Sequence, residues 1–179
     1  FELVIILIQH RKEKLAVGFI DKIKARAKQK KMTIVLPETS DRRTVVAAHK
    51  VLEEDLANLI LIGNREEILR TAEGLNLNKA QFVDPHKCDK LEVYSQLLAE
   101  IRKSKGMTVD EAREILLTNP LFMGCIMVKA GDADGMVAGA INSSANVLRA
   151  ALQVLKTAPD IKLVSAFFLV VVPNCEYGH

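Results

Sequence analysis

From residue 19 onward the chain alternates two kinds of hydrophobic pattern. Continuous apolar runs, such as Met32-Thr33-Ile34-Val35-Leu36 and Leu59-Ile60-Leu61-Ile62, predict strands buried on both faces. Elsewhere apolar residues recur every three or four positions, which predicts helices. Residues 19–29 read as a helix ahead of the first strand. Pro37 stops that strand, and Thr39-Ser40-Asp41 offers a hydroxyl and an acid to start a helix burying Val45, Ala48 and Leu52. Gly63 closes the second strand. Asn64 caps a short helix through Ile68 and Leu69, and Gly74 suits its end.

Gln81-Phe82-Val83 predicts a weaker strand. Asp84, or the residues just after it, then starts a long helix to about residue 105, with Tyr94, Leu97, Leu98 and Ile101 inside and Gly106 at its end. Thr108 and Glu111 have the spacing of a capping box, each satisfying an orphan backbone N–H. Asn119-Pro120 starts another helix and Gly131 ends it. Residues 135–139 form a short strand and turn. Residues 143–157 form a helix with Leu148, Leu152 and Leu155 toward the core, and residues 162–172 form a strand. Helices alternating with buried strands predict an α/β fold, a three-layer αβα sandwich with a mostly parallel sheet. The turn residues at 157–160 suggest a boundary. On that reading 1–18 is an extension without assigned function, 19–158 is the α/β domain, and 159–179 is the truncated start of a second α/β domain.

Composition narrows the classes. Apolar residues at 49% and charged residues at 26% suit a globular chain, and a formal charge of +3 is too small to imply nucleic acid as a partner. The basic residues before Met32 read as a solvated helical surface. The apolar stretch 1–8 is too short to span a bilayer, and its positive charges follow the apolar run where a signal peptide has them in front. No membrane association is expected, and a cytoplasmic location is. Cys88, Cys125 and Cys175 are odd in number and lack zinc or CxxC spacing, so reduced thiols are expected. No metal is expected either. Asp132-Ala133-Asp134-Gly135 has the look of a calcium loop, but its twelfth position is Ser143, where a bidentate glutamate is needed.

The informative stretch is 131–149. Glycines recur at 131, 135 and 139, and the chain then reaches Asn142-Ser143-Ser144 at the start of a helix. Backbone N–H groups, the helix dipole and serine hydroxyls there suit an anion. Plain N-capping accounts for the same residues. Arg149 shares a polar helix face with Asn146, Gln153 and Lys156, either as a solvated side chain or as a bidentate fork for phosphate. Arg102, beside Lys103 and Lys105, poses the same choice. Cys175 follows an apolar strand at the end where open sheets bind ligands, yet no base is in place to make it a nucleophile. Neither a GxGxxG nor a Walker lysine is present.

These segments resemble the phosphate acetyltransferases. The resemblance runs through Ile34-Val35-Leu36-Pro37-Glu38 with Asp41-Arg42-Arg43, Arg102-Lys103-Ser104-Lys105-Gly106, Met127 to Val137, Leu148-Arg149, and Val172 to Gly178. It implies a two-domain α/β enzyme with its site in the cleft between domains, in a family that tends to form homodimers. The implied reaction is acetyl-CoA plus phosphate giving acetyl phosphate plus CoA, with coenzyme A as a substrate and no tightly bound cofactor. By position, Arg149 and Arg102 resemble cleft arginines that hold substrate, and Asn142, Ser143 and Ser144 the turn beside the acyl phosphate. Cys175 resembles a cysteine near the cleft that is not the nucleophile. The resemblance places the general base in a C-terminal half, so no catalytic residue is expected here and the chain is expected to be inactive alone. Ala138, Asn146, Ala150, Asp160 and Asn174 depart from the usual pattern. Two alternatives stay open: a phosphate butyryltransferase, or a non-catalytic domain binding CoA esters like that fused to some malic enzymes.

Overall fold

The computed structural model describes residues 17–161 and 163–165. Residues 31–156 form one compact unit, and the described residues flanking it belong to a second. In the second unit the described secondary structure is one helix, α1 (Val17–Gln29).

The larger unit runs β1 (Thr33–Leu36), α2 (Arg42–Glu53), β2 (Asn58–Ile62), α3 (Arg65–Ala72), β3 (Gln81–Val83), α4 (Leu91–Arg102), α5 (Val109–Thr118), α6 (Pro120–Ala130), β4 (Gly135–Met136) and α7 (Ser144–Val154). All strand pairs are parallel, in the order β3-β2-β1-β4. Val35 pairs with Ile60 and Leu36 with Leu61. Successive side chains leave opposite faces of a sheet. Accordingly Val35, Ile60 and Ile62 join one core with residues of α4 to α7. Leu36, Leu59 and Leu61 join the other, with residues of α2 and α3. Two covered faces explain why the strand sequences are uninterrupted apolar runs. The fold is the expected αβα sandwich.

Helix α6 packs directly on the sheet. A Cβ on Gly124 would stand 2.5 Å from Met136 Sδ and 3.3 Å from Val35 Cγ1, so only glycine admits this approach without displacing a neighbour.

Helix starts follow the capping signals. Asp41 accepts from the Arg43 N–H, Asn64 from those of Glu66 and Glu67, and Asn119 from that of Leu121 ahead of Pro120. Thr108 and Glu111 form the reciprocal box. Replacing Thr108 with alanine should cost about 1 kcal/mol in urea unfolding, the usual loss for an N-cap. An unchanged midpoint would show that the box adds nothing to stability.

Three expectations differ from what is found. The helix expected from residue 84 starts only at Leu91. Asp84 instead caps a single 3-10 turn, Pro85–Lys87, and Cys88 is extended at φ −81, ψ 115. Pro85 is buried at that turn and Leu91 is buried next, so the chain turns once, extends and restarts. The far end of this segment, Lys103–Lys105, is also a 3-10 turn. Helix α7 ends at Val154, three residues early, with Lys156 in the left-handed region at φ 63.

Its inner face is the third difference. Val147, Ala150 and Val154 are buried, whereas Leu152 is 43% exposed. Both seams have helical spacing; the alanine-bearing one has the smaller side chains, which lets α7 sit close to α6. The strand expected over 162–172 lies outside the described residues apart from Leu163, Val164 and Ser165, which are not in a strand.

Candidate functional site at the β1/β4 switch point

The strand order decides where a ligand fits. From β1 the chain moves outward through β2 and β3, then returns to add β4 on the other side of β1. The chain therefore leaves β1 and β4 toward helices on opposite faces of the sheet. It is outside the carboxyl ends of two such strands, at the switch point, that open α/β sheets form a ligand crevice.

The loop after β1 sends a carboxylate across to the loop after β4. Glu38 is only 5% exposed. Its Oε2 accepts from the backbone N–H groups of Gly139 at 2.6 Å and Ala140 at 2.7 Å. Its Oε1 accepts from the N–H groups of Ile141 at 3.2 Å and Asn142 at 2.7 Å, and from Asn142 Nδ2 at 2.9 Å. Four successive amides thus converge on one anion, an arrangement helped by Gly139 at φ 114. Burial pushes the Glu38 pKa up, but the hydrogen bonds from Asn142, Ala140 and Gly139 outweigh it and hold the carboxyl below its ordinary value.

Neighbouring groups brace the same loops. Arg43 pairs with the Asp41 carboxylate, and its Nη2 donates to the Ala140 carbonyl at 2.6 Å. The buried Thr39 hydroxyl donates to the Ile62 carbonyl at 2.6 Å, tying the loop after β1 to the end of β2. Beside it lies an open cleft of about 500 Å³ lined by Thr39, Ser40, Gly63, Asn64 and Thr71 among others.

The residues singled out from the sequence fall into three groups. Asn142, Ser143 and Ser144 lie at the start of α7, and Arg149 lies midway along the same helix. Asn142 is not a free donor, because its N–H and side-chain amide both go to Glu38. Ser143 is the N-cap, with Oγ accepting from the Asn146 N–H at 3.3 Å. Ser144 is exposed, and the amides of Ser144 and Ala145 have no acceptor among the described residues. Arg149 is exposed and reaches back one turn, Nη1 lying 3.4 Å from Asn146 Oδ1.

Arg102 stands apart, at the last residue of α4, and no hydrogen bond or ion pair joins it to the α7 group. Its Nε is buried with no hydrogen-bond partner among the described residues. Cys175 lies outside the described residues. Glu38 and Arg43, which carry the geometry of the crevice, were not among the residues assigned a role from sequence. The available signal was an acid two residues after a buried parallel strand.

A second concavity, about 650 Å³, opens near β3 and is lined by Cys88, Lys90, Tyr94 and Asp132 among others. Asp132 accepts there from Lys90 Nζ and from the Tyr94 hydroxyl, which together hold its pKa low. Burial and that bond raise the Tyr94 pKa. Asp134 accepts from the Thr33 N–H at 2.7 Å. Both acids of the calcium-like stretch are thus engaged within the protein. Cys125 sits in the core, where burial pushes its thiol up to about 12.

The unit is therefore a doubly wound α/β domain whose switch-point loops are organised around an anion. The chain belongs to the family described as "Phosphate acetyl/butaryl transferase", which matches residues 18–178. It is 52% identical over 163 residues to the phosphate acetyltransferase of Acetivibrio thermocellus, covering 91% of this chain and 49% of that protein. It is 48% identical over 162 residues to that of Thermoanaerobacterium thermosaccharolyticum, covering 90% and 49%. A phosphotransacetylase from Streptococcus pyogenes superposes with a TM-score of 0.77 at 31% identity, over 84% of this chain and 46% of that one. The chain thus spans about half the length of the curated relatives it matches. No helix among the described residues is long and apolar enough to cross a membrane.

Proposed function

We propose that this chain forms the phosphate-binding wall of a site that moves an acetyl group between phosphate and coenzyme A. The single observation that carries the reading is the start of α7. Two helix-first amides, Ser144 and Ala145, lack acceptors among the described residues, and the exposed Arg149 follows on the same helix, its Nη1 3.4 Å from Asn146 Oδ1. Amides and dipole at a helix N-terminus attract a phosphoryl group, and a guanidinium can grip two of its oxygens. In acetyl transfer the CoA thiolate attacks the acetyl carbonyl and phosphate departs, so such donors stabilise the leaving group as its charge grows. Arg102, with its orphaned Nε, is a further candidate for the anionic substrates.

Glu38 is not the base that takes the thiol proton. Five donors occupy its two oxygens and its pKa is held low, the opposite of what proton abstraction near neutral pH requires. The relatives named above favour acetyl over butyryl as the transferred group. This reading also implies a cytoplasmic setting, with coenzyme A as substrate.

The test is a titration of the ¹⁵N-labelled 179-residue chain with inorganic phosphate, acetyl phosphate and coenzyme A. Saturable, salt-sensitive shifts are expected at the Ser144 and Ala145 amides and at Arg149 Nε. Unmoved signals at millimolar ligand would defeat the reading. In a thioester absorbance assay the same 179 residues are expected to show no turnover, because the Glu38 carboxylate is engaged by five donors and is unsuited to take the thiol proton; brisk turnover would contradict that.

A further inference from the structure

We propose that Glu38 is a positioning residue, a built-in anion that holds the turn 139–142 and so fixes where α7 and its ligand-facing residues begin. Its functional consequence rests on the reading of the α7 start as the phosphate wall; its structural content does not.

Strand β4 is two residues long, and its ladder to β1 ends with the Val137 N–H donating to the Val35 carbonyl. Beyond that point, from Gly139 to Asn142, the described bonds to the rest of the unit are those to Glu38 and the Arg43 contact at Ala140. The turn has no regular structure of its own. Its geometry is therefore set by a side chain more than a hundred residues earlier in sequence. Because its four amides already donate to Glu38, the cradle is closed to outside anions. A phosphate arriving at the switch point is left with the next free donors, the amides of Ser144 and Ala145. Glu38 in this way both shapes the wall and directs the ligand along it.

The acceptor must be a carboxylate. Glutamine matches its shape but turns an NH₂ toward some of the converging N–H groups, donor against donor. Space filling alone would tolerate Glu38→Gln, whereas an anion role would not. The charged groups facing Glu38 are Arg43 and its partner Asp41 at the start of α2; residues 139–143 carry none.

The experiment uses the full 179-residue chain. In ¹⁵N spectra, Glu38→Gln should move the amides of residues 139–146 while leaving those of α5 in place. In Glu38→Gly, formate at tens of millimolar should return the 139–142 amides toward their wild-type positions, and chloride at equal ionic strength should not. In the wild type, the four amides should titrate together with one midpoint below the ordinary glutamate range. That arm stands even if a variant fails to fold. Unmoved amides in Glu38→Gln, equal effects of formate and chloride, or four unrelated midpoints would overturn the proposal. If these arms succeed but phosphate leaves Ser144 and Ala145 unmoved in the wild type, the functional reading fails and the positioning role stands.

Discussion

Replacing Arg149 with alanine in a full-length protein carrying this segment is expected to lower kcat/KM for acetyl transfer about 100- to 1,000-fold. That is the usual loss when one preorganised donor to a developing anion is removed. Arg149 is exposed, with only a long 3.4 Å contact to Asn146 Oδ1, so the change should leave folding stability within about 0.5 kcal/mol. The loss should grow with the charge on phosphate, appearing in KM for phosphate as well as in kcat. Lysine at this position should recover only part of the rate, since an ammonium carries charge without the two-pronged geometry. Steady-state kinetics in the thioester assay, with thermal unfolding as control, decide the matter. Unchanged kinetics for the alanine variant would return Arg149 to a solvated helix face.

Much of the layered fold was legible because each piece of it has a local cause. Buried parallel strands must be apolar on both faces, and Leu59 to Ile62 is. Helix starts need acceptors for free amides, and Asp41, Asn64, Thr108 with Glu111, and Asn119 supply them. Where two local solutions were available, sequence did not choose between them. The signal at Asp84-Pro85 serves a single tight turn as well as a helix start. Helix α7 has both a leucine seam and a valine–alanine seam, and packing against α6 selects the second.

The crevice was half legible. Asn142, Ser143 and Ser144 stand out as candidates from glycine spacing and helix-start chemistry, and Arg149 is favoured as one only through the family resemblance. The Glu38 contacts span 101 to 104 residues, so no periodicity or cap rule could announce them. Only the sheet order, with β4 beside β1, brings the two loops together.

The same buried carboxylate should make the fold sensitive to acid. At neutral pH, Glu38→Gln is expected to destabilise the chain by about 2 kcal/mol, because four part-buried amides lose a charged acceptor at once. An unfolded glutamate titrates near about 4.3, and hydrogen bonding holds Glu38 below its ordinary value when folded. The stabilisation is therefore fully present above about 4.3 and is lost as pH falls through the folded pKa. Over that window the gap between wild type and variant should narrow by up to about 1.4 kcal/mol per pH unit. Asp41 and Asp132 also have lowered pKa values and weaken the fold in acid, but they are common to both proteins and drop out of the difference. Urea unfolding of the pair at pH 7, 5, 4 and 3 measures the gap. A gap as wide at pH 3 as at pH 7 would mean that the glutamine variant fails for want of shape and not of charge, and that the turn is held by something other than an anion.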